Sequence, residues 1–357
     1  GLALMQVAFY FSKSILFKKV SKICISGGHS AQYLLRLAWV FLLAHLIYLY
    51  FPAIAHIPSL GQLLRPIGYI SYGLFYLLWA NGRLKKTSEW LPVVLLLPAS
   101  LLPLVASGSL AQILLVSLFM LIVFWHINQR VPFALIALVL TLYLFLSPVK
   151  IQYRYQTWLP NSNITLIDKI SLFSDLAIKY HSSDVDKSVA QNQLIARSAH
   201  ILVFSNVVSD TPEIIPYWQG HTYMPIFSKF IPRVLWPNKP TETVGNDFGR
   251  RYHYLGSADQ TTSFNLPILV EMYVNFGELG VVCGMSLLGA LTAFLSQKFN
   301  QSGMNSLEFL VGNTCLFSLI YQESNFSLLF GNVLILSIVL ILLLRLRSQQ
   351  SVTRYVP

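Results

Sequence analysis

Charge is what this sequence has least of. Asp, Glu, Lys and Arg make up 11% of its 357 residues, against roughly 25% in a soluble domain. So small a charged fraction cannot cover a globular surface, and it equally excludes a disordered chain or a coiled coil. Cysteine is scarce as well. Cys24, Cys283 and Cys315 lie far apart, each in or beside an apolar stretch and none in a CxxC spacing. That excludes a disulfide framework and a zinc site. HExxH, P-loop and GxGxxG patterns are missing too, so no cofactor or resident metal is expected. What abounds is apolar surface: 55% hydrophobic residues, 13% aromatic. The class this predicts is an all-α integral membrane protein, a multi-span helical bundle.

A spanning helix needs about 20 mostly apolar residues. Such runs occur at 34–55, 62–80, 90–107, 109–127, 131–148, 266–296, 305–322 and 326–344, with 1–17 as a further one. Lys and Arg cross a membrane reluctantly during insertion, so their positions report orientation. Lys13, Lys18, Lys19, Lys22 and Arg36 flank the first connection; Arg83, Lys85 and Lys86 follow two crossings later, and Arg130 two after that. Lys298, Arg345, Arg347 and Arg354 keep the alternation. Every cluster lands on one face, the cytoplasmic one. The formal charge of +11 is therefore a topology signal. No RNA- or DNA-binding motif accompanies it, and nucleic acid is not an expected partner.

The domain organisation follows: N-terminal spans over 1–148, an extracytoplasmic region over 149–265, C-terminal spans over 266–346 and a cytoplasmic tail over 347–357. A connection as long as 149–265 is usually functional. It carries 11 of the 25 basic residues and 9 of the 14 acids. Ile167, Ile170, Phe173 and Ala177 recur at helical spacing, as on a helix lying at a membrane surface, and 187–208 forms a second periodic run. From Tyr217 the character changes. Pro225, Pro232, Pro237 and Pro240 forbid a long helix, and aromatics alternate with Lys229, Arg233, Lys239, Arg250 and Arg251. Stiff backbone, aromatic faces and cations suit a ligand with sugar rings and phosphate. The alternative is a Pro-rich loop whose bases pair with lipid headgroups.

The order of residues here resembles a known family. WQGHTY at 218–223, IPRVLWPNKP at 231–240 and EMYVNFGELG at 271–280, preceded by Arg197 and Thr211-Pro212, resemble the bacterial Wzy-type polymerases of O-antigen and related surface polysaccharides. The resemblance is concentrated in 197–280. It implies a multi-span glycosyltransferase related to the C-type architecture, in the bacterial inner membrane with its site on the periplasmic face. Its substrates would be oligosaccharide repeat units on undecaprenyl diphosphate, and it would need neither nucleotide sugar nor metal. A flippase and a chain-length regulator would be its partners, besides membrane lipids.

That reaction makes two demands. Charge develops on the leaving diphosphate, which cationic side chains must stabilise in the absence of a metal. Arg233 stands first, held beside Pro232, followed by Arg250 and Arg251, then Arg197 and Lys239. An ion pair from Arg233 to Glu242 or Asp247 is the structural alternative. The acceptor hydroxyl calls for a base, with Asp247, Glu242, His221, His253 and Glu271 as candidates that sequence alone does not separate. Glu271 opens an apolar span, where an unpartnered carboxylate is costly. Trp218, Tyr223 and Trp236 suit sugar stacking or an interfacial belt. Gly280 and Gly284 form a GxxxG suited to helix packing. An O-antigen ligase shares these demands; a transporter or flippase would instead show paired charges within spans and two similar halves.

Overall fold

The computed structural model describes residues 1–16, 30–55, 57, 60–84, 87–157, 164–182, 200–229, 231, 236, 238–239, 242–299, 307–317, 319 and 324–352. Among them the chain is helical and forms no strand. The helices are α1 (Leu2–Phe11), α2 (Ala31–Tyr50), α3 (Pro52–Ala55), α4 (Gly61–Ala80), α5 (Thr87–Ala106), α6 (Leu110–Asn128), α7 (Phe133–Leu146), α8 (Lys150–Thr157) and α9 (Leu166–Ser182). They continue with α10 (His200–Asp210), α11 (Pro225–Lys229), α12 (Val244–Arg251), α13 (Ile268–Phe299), α14 (Leu307–Phe317) and α15 (Phe326–Val352). Each apolar run read from the sequence overlaps at least one of these helices, but 34–55 is divided between α2 and α3, and within 305–322 the described helix is only Leu307–Phe317. Three stretches, Ala31–Tyr50, Leu110–Asn128 and Ile268–Lys298, are long and apolar enough to cross a membrane.

Two compact units divide the chain. One comprises residues 29–57 and 64–200; the other comprises 1–28, 58–63 and 201–357. The polar region 149–265 is thus shared between them, parting after residue 200.

In the first unit, glycines end two of the long helices. Gly82 (φ 63) turns the chain after α4, letting Arg83 N–H reach Leu78 C=O at 2.9 Å, a closure that a left-handed residue makes possible. Gly108 (φ 64) ends α5 where a Cβ would lie 2.8 Å from the Tyr153 ring. Tyr153 is fully buried against Phe173, ring centroids 4.5 Å apart, and donates its hydroxyl to Ala106 C=O. α9 packs on α5, α7 and α8 through Phe173 and Ala177. Ile167, expected on the same face, is 77% exposed.

The second unit is built on α13, with α1 running along it. Gly289 permits the approach, since a Cβ there would meet Met5 C=O at 2.4 Å. Val207, Ile215, Val244, Phe248, Leu266 and Val274 belong to a separate apolar core. That core fixes α10, α12 and the start of α13 relative to one another. Among the described residues between α10 and α12, the helical pieces are the short turns His221–Tyr223 and Pro225–Lys229.

Candidate functional site

The site begins with a break in a helix. α13 loses helical geometry at Phe276 (φ −142, ψ 17) and Gly277 (φ 62, ψ −146). A residue with a side chain resists that φ, and at Gly277 a Cβ would also lie 2.6 Å from the Tyr217 hydroxyl. The break frees the carbonyls of Val274 and Asn275, which take the N–H groups of Trp218 (2.9 Å) and Gln219 (3.2 Å). The Asn275 side chain, wholly buried, completes the clasp. Its Oδ1 accepts Gly220 N–H at 2.8 Å, and its Nδ2 donates to Thr222 Oγ1 and to Glu271 C=O, both at 2.7 Å. Segment 217–223 is thereby bound to the broken helix by backbone and side chain together.

Two carboxylates meet the start of α15. Glu271, fully buried, accepts Phe326 N–H at 2.5 Å. Glu242 accepts from Asn325 Nδ2 and Ser327 Oγ and pairs with Lys229. The first N–H groups of a helix lack intrahelical partners and carry partial positive charge, so both carboxylates sit where they are favoured. The second Glu271 oxygen, Oε1, and the Trp218 indole N–H are buried without hydrogen-bond partners among the described residues.

Beside this network lies a cavity of about 500 Å³, lined among others by Tyr217, Trp218, His221, Glu242, Asp247 and Arg251. α12 sends its two arginines different ways. Arg250 pairs with Asp247 at 2.7 Å, one turn back, while Thr243 holds the other Asp247 oxygen at 2.7 Å. Arg251 donates to Pro216 C=O at 2.6 Å and stacks over the Trp218 ring at 5.2 Å. Burial lowers the Arg251 pKa, yet a guanidinium remains charged at neutral pH. Tyr223 stacks on Phe276 and stands edge-on to Phe326. Burial, followed by the Glu271 charge, raises its phenol well above the usual range.

Of the residues singled out in the sequence, Trp218, His221, Glu242, Asp247 and Arg251 converge on the cavity, with Glu271 and Tyr223 behind it. Arg250 is bound in its ion pair. Trp236 and Lys239 are not among the cavity's lining residues; the Lys239 amine donates to Ile231 C=O at 3.0 Å. His253 is exposed. Arg197 and Arg233 lie outside the described residues, as do Asp184 and Asp186, two acids in a DxD spacing. The ion-pair partners found for Glu242 and Asp247 are Lys229 and Arg250. Gly280 and Gly284 pack on Met272, from the segment before the break. Among the described residues no three His, Cys, Asp or Glu side chains group to hold a metal.

Sequence reading missed Asn275, Thr222, Asn325 and Ser327. Asn275 carried a signal, being an amide within an apolar run ahead of a glycine.

A family model matches residues 9–354, nearly the whole chain and every residue of the cavity. The chain belongs to that family, described as Domain of unknown function (DUF8712). No curated protein and no solved structure matches it.

Proposed function

We propose that this protein is a multi-span enzyme of the bacterial inner membrane that joins undecaprenyl-diphosphate-linked oligosaccharide repeat units at the outer face. The observation that carries the reading is the composition of one cavity: Arg251 stacked on Trp218, with His221, Glu242 and Asp247 around it. In the reaction, the bond between an anomeric carbon and a diphosphate oxygen breaks. The acceptor hydroxyl oxygen bonds to that carbon, its proton passes to a base, and the lipid diphosphate leaves with the electron pair. Arg251 meets the charge growing on the diphosphate through a planar, two-pronged donor. The Trp218 ring, which lines the same cavity, offers an aromatic surface on which a sugar ring packs. Glu242 and Asp247 each already hold a cation. His221, whose ring makes no hydrogen bond or ion pair among the described residues, is the base we assign. The order of residues over 197–280 supports a polymerase rather than a ligase.

The test is reconstitution of the full chain in vesicles with a lipid-linked repeat unit alone, read as a ladder of glycan lengths. Polymer formed from this single substrate supports the reading. Transfer that occurs only when lipid A core is added would identify a ligase, and no transfer in either case would overturn the assignment.

A further inference from the structure

Arg65 is a charge that the polar cavity does not use. It belongs to the first unit, lies within the apolar run 62–80 and comes about one turn after α4 begins at Gly61. It is the only charged residue of that helix. An ionisable side chain in such a run is costly unless something partners it, and it marks a functional position.

The guanidinium is held in place. Its Nε donates to the Tyr48 hydroxyl at 3.0 Å, and its Cζ stands 5.6 Å from the centre of the Tyr48 ring, within cation–π range. Tyr48 is itself buried. It lies two residues before the end of α2, a stretch long and apolar enough to cross a membrane. Close packing joins α2 to α4 here. A Cβ at Gly68 would lie 2.7 Å from the His45 ring, and His45 Nδ1 donates to Leu64 C=O at 2.9 Å.

No acid of the chain lies near in sequence to balance this charge. Residues 29–80, which supply α2, α3, α4 and the turn between them, contain no Asp or Glu, and the first acid in the chain is Glu89, beyond the other end of α4. Among the described residues the ion pairs are Lys229–Glu242 and Arg250–Asp247, both in the other unit. Arg65 is exposed. With Nε committed to Tyr48, its two terminal nitrogens form a planar pair of donors that take no partner among the described residues. Such a fork matches the oxygens of a phosphate. The ends of apolar helices lie at the headgroups of a bilayer, where phosphate is abundant. A zwitterionic headgroup brings its own ammonium beside the phosphate; an anionic one supplies the missing charge.

We infer that Arg65, oriented by Tyr48, binds the phosphate of an anionic phospholipid where the ends of α2 and α4 meet. The inference is independent of the glycan-joining activity and stands or falls without it.

The test places the full chain in phosphatidylcholine vesicles with a rising fraction of phosphatidylglycerol that carries a diazirine at the head of one acyl chain. Cross-linked peptides are mapped by mass spectrometry. Labelling at Leu64–Tyr69 should saturate at a low fraction, with unlabelled phosphatidylglycerol competing. Phosphatidylethanolamine and inorganic phosphate at the same concentration should leave it nearly unchanged. Arg65→Gln should raise the half-saturating fraction roughly tenfold, the factor that a loss of about 1.4 kcal/mol corresponds to. Labelling around Arg83, past the other end of α4, should stay as it was and so report that the variant inserts. Arg65→Lys and Tyr48→Phe should fall between, the first keeping charge without the fork, the second releasing the fork from its anchor. Equal half-saturation in the parent chain and Arg65→Gln overturns the inference, as does equal competition by phosphatidylethanolamine. Competition by inorganic phosphate as strong as that by phosphatidylglycerol identifies a free-anion site and overturns the lipid assignment. If Arg65→Gln loses labelling at both peptides, Arg65→Lys decides: an intermediate half-saturation supports the fork, and the parent value overturns it.

Discussion

Arg250 and Arg251 are adjacent in sequence and different in circumstance. Arg250 is spent on Asp247 in a partly exposed i,i+3 pair, the kind worth roughly 0–1 kcal/mol. Arg251 lines the cavity, stacked on an indole. Arg251→Ala should therefore cost about 3 kcal/mol of transition-state stabilisation, or roughly a hundredfold in rate, at unchanged protein level. Arg251→Lys should recover only part, a point charge replacing a planar fork. Arg250→Ala should reduce turnover several-fold at most. Equal losses at the two positions would place both on the substrate and remove the distinction. Arg233 is held to the same standard. Arg233→Ala should nearly abolish long glycan per molecule of membrane protein, and normal chain length would remove it from the site.

The broken helix is the element that positions the site. Its geometry depends on Gly277, because φ is positive there and the Tyr217 hydroxyl occupies the space of a side chain. Gly277→Ala should destabilise by about 1–3 kcal/mol through backbone strain alone, with the Tyr217 contact added. Tyr217→Phe in the same chain should return the contact portion but not the strain, a partial rescue read as the midpoint of thermal unfolding in detergent. Full rescue would mean the backbone there is relaxed. Asn275→Leu removes the partner of Gly220 N–H and of the Thr222 hydroxyl. A buried polar group left unpaired costs about 1–3 kcal/mol, and segment 217–223 should loosen, seen as faster amide exchange at Gly220. Unchanged exchange would show that the backbone bonds from Trp218 and Gln219 hold the segment unaided.

For the whole molecule, the charge pattern predicts that the polar region faces away from the cytoplasm. A cysteine at Ser257, exposed in the loop after α12, should react with an impermeant thiol reagent in intact cells whose outer membrane is permeabilised. Reaction only after the inner membrane is opened would reverse the topology and put the cavity on the cytoplasmic side. Turnover should also survive chelation of divalent ions, since the proposed charge stabilisation comes from guanidinium groups. Loss in EDTA with recovery in magnesium would redirect attention to Asp184 and Asp186.

Apolar runs long enough to cross a bilayer announce helices by themselves, because hydrocarbon satisfies no backbone group and each segment must bond internally. Pro225, which lacks an N–H to donate, stands at the start of the short helix Pro225–Lys229, and the cationic aromatic stretch contains several residues that line the polar cavity. Which side chains in it act together was not readable there. Neighbouring arginines on α12 diverge by the helix's own angular step, and only the packing of Phe248 and Val244 into the core turns Arg251 toward Trp218. The pairing of Glu242 with Lys229, and the gathering of both carboxylates at the start of α15, join residues as far as 85 positions apart. Those contacts depend on how α13 breaks and where α15 begins, which is a property of packing in three dimensions and leaves no local period in the sequence.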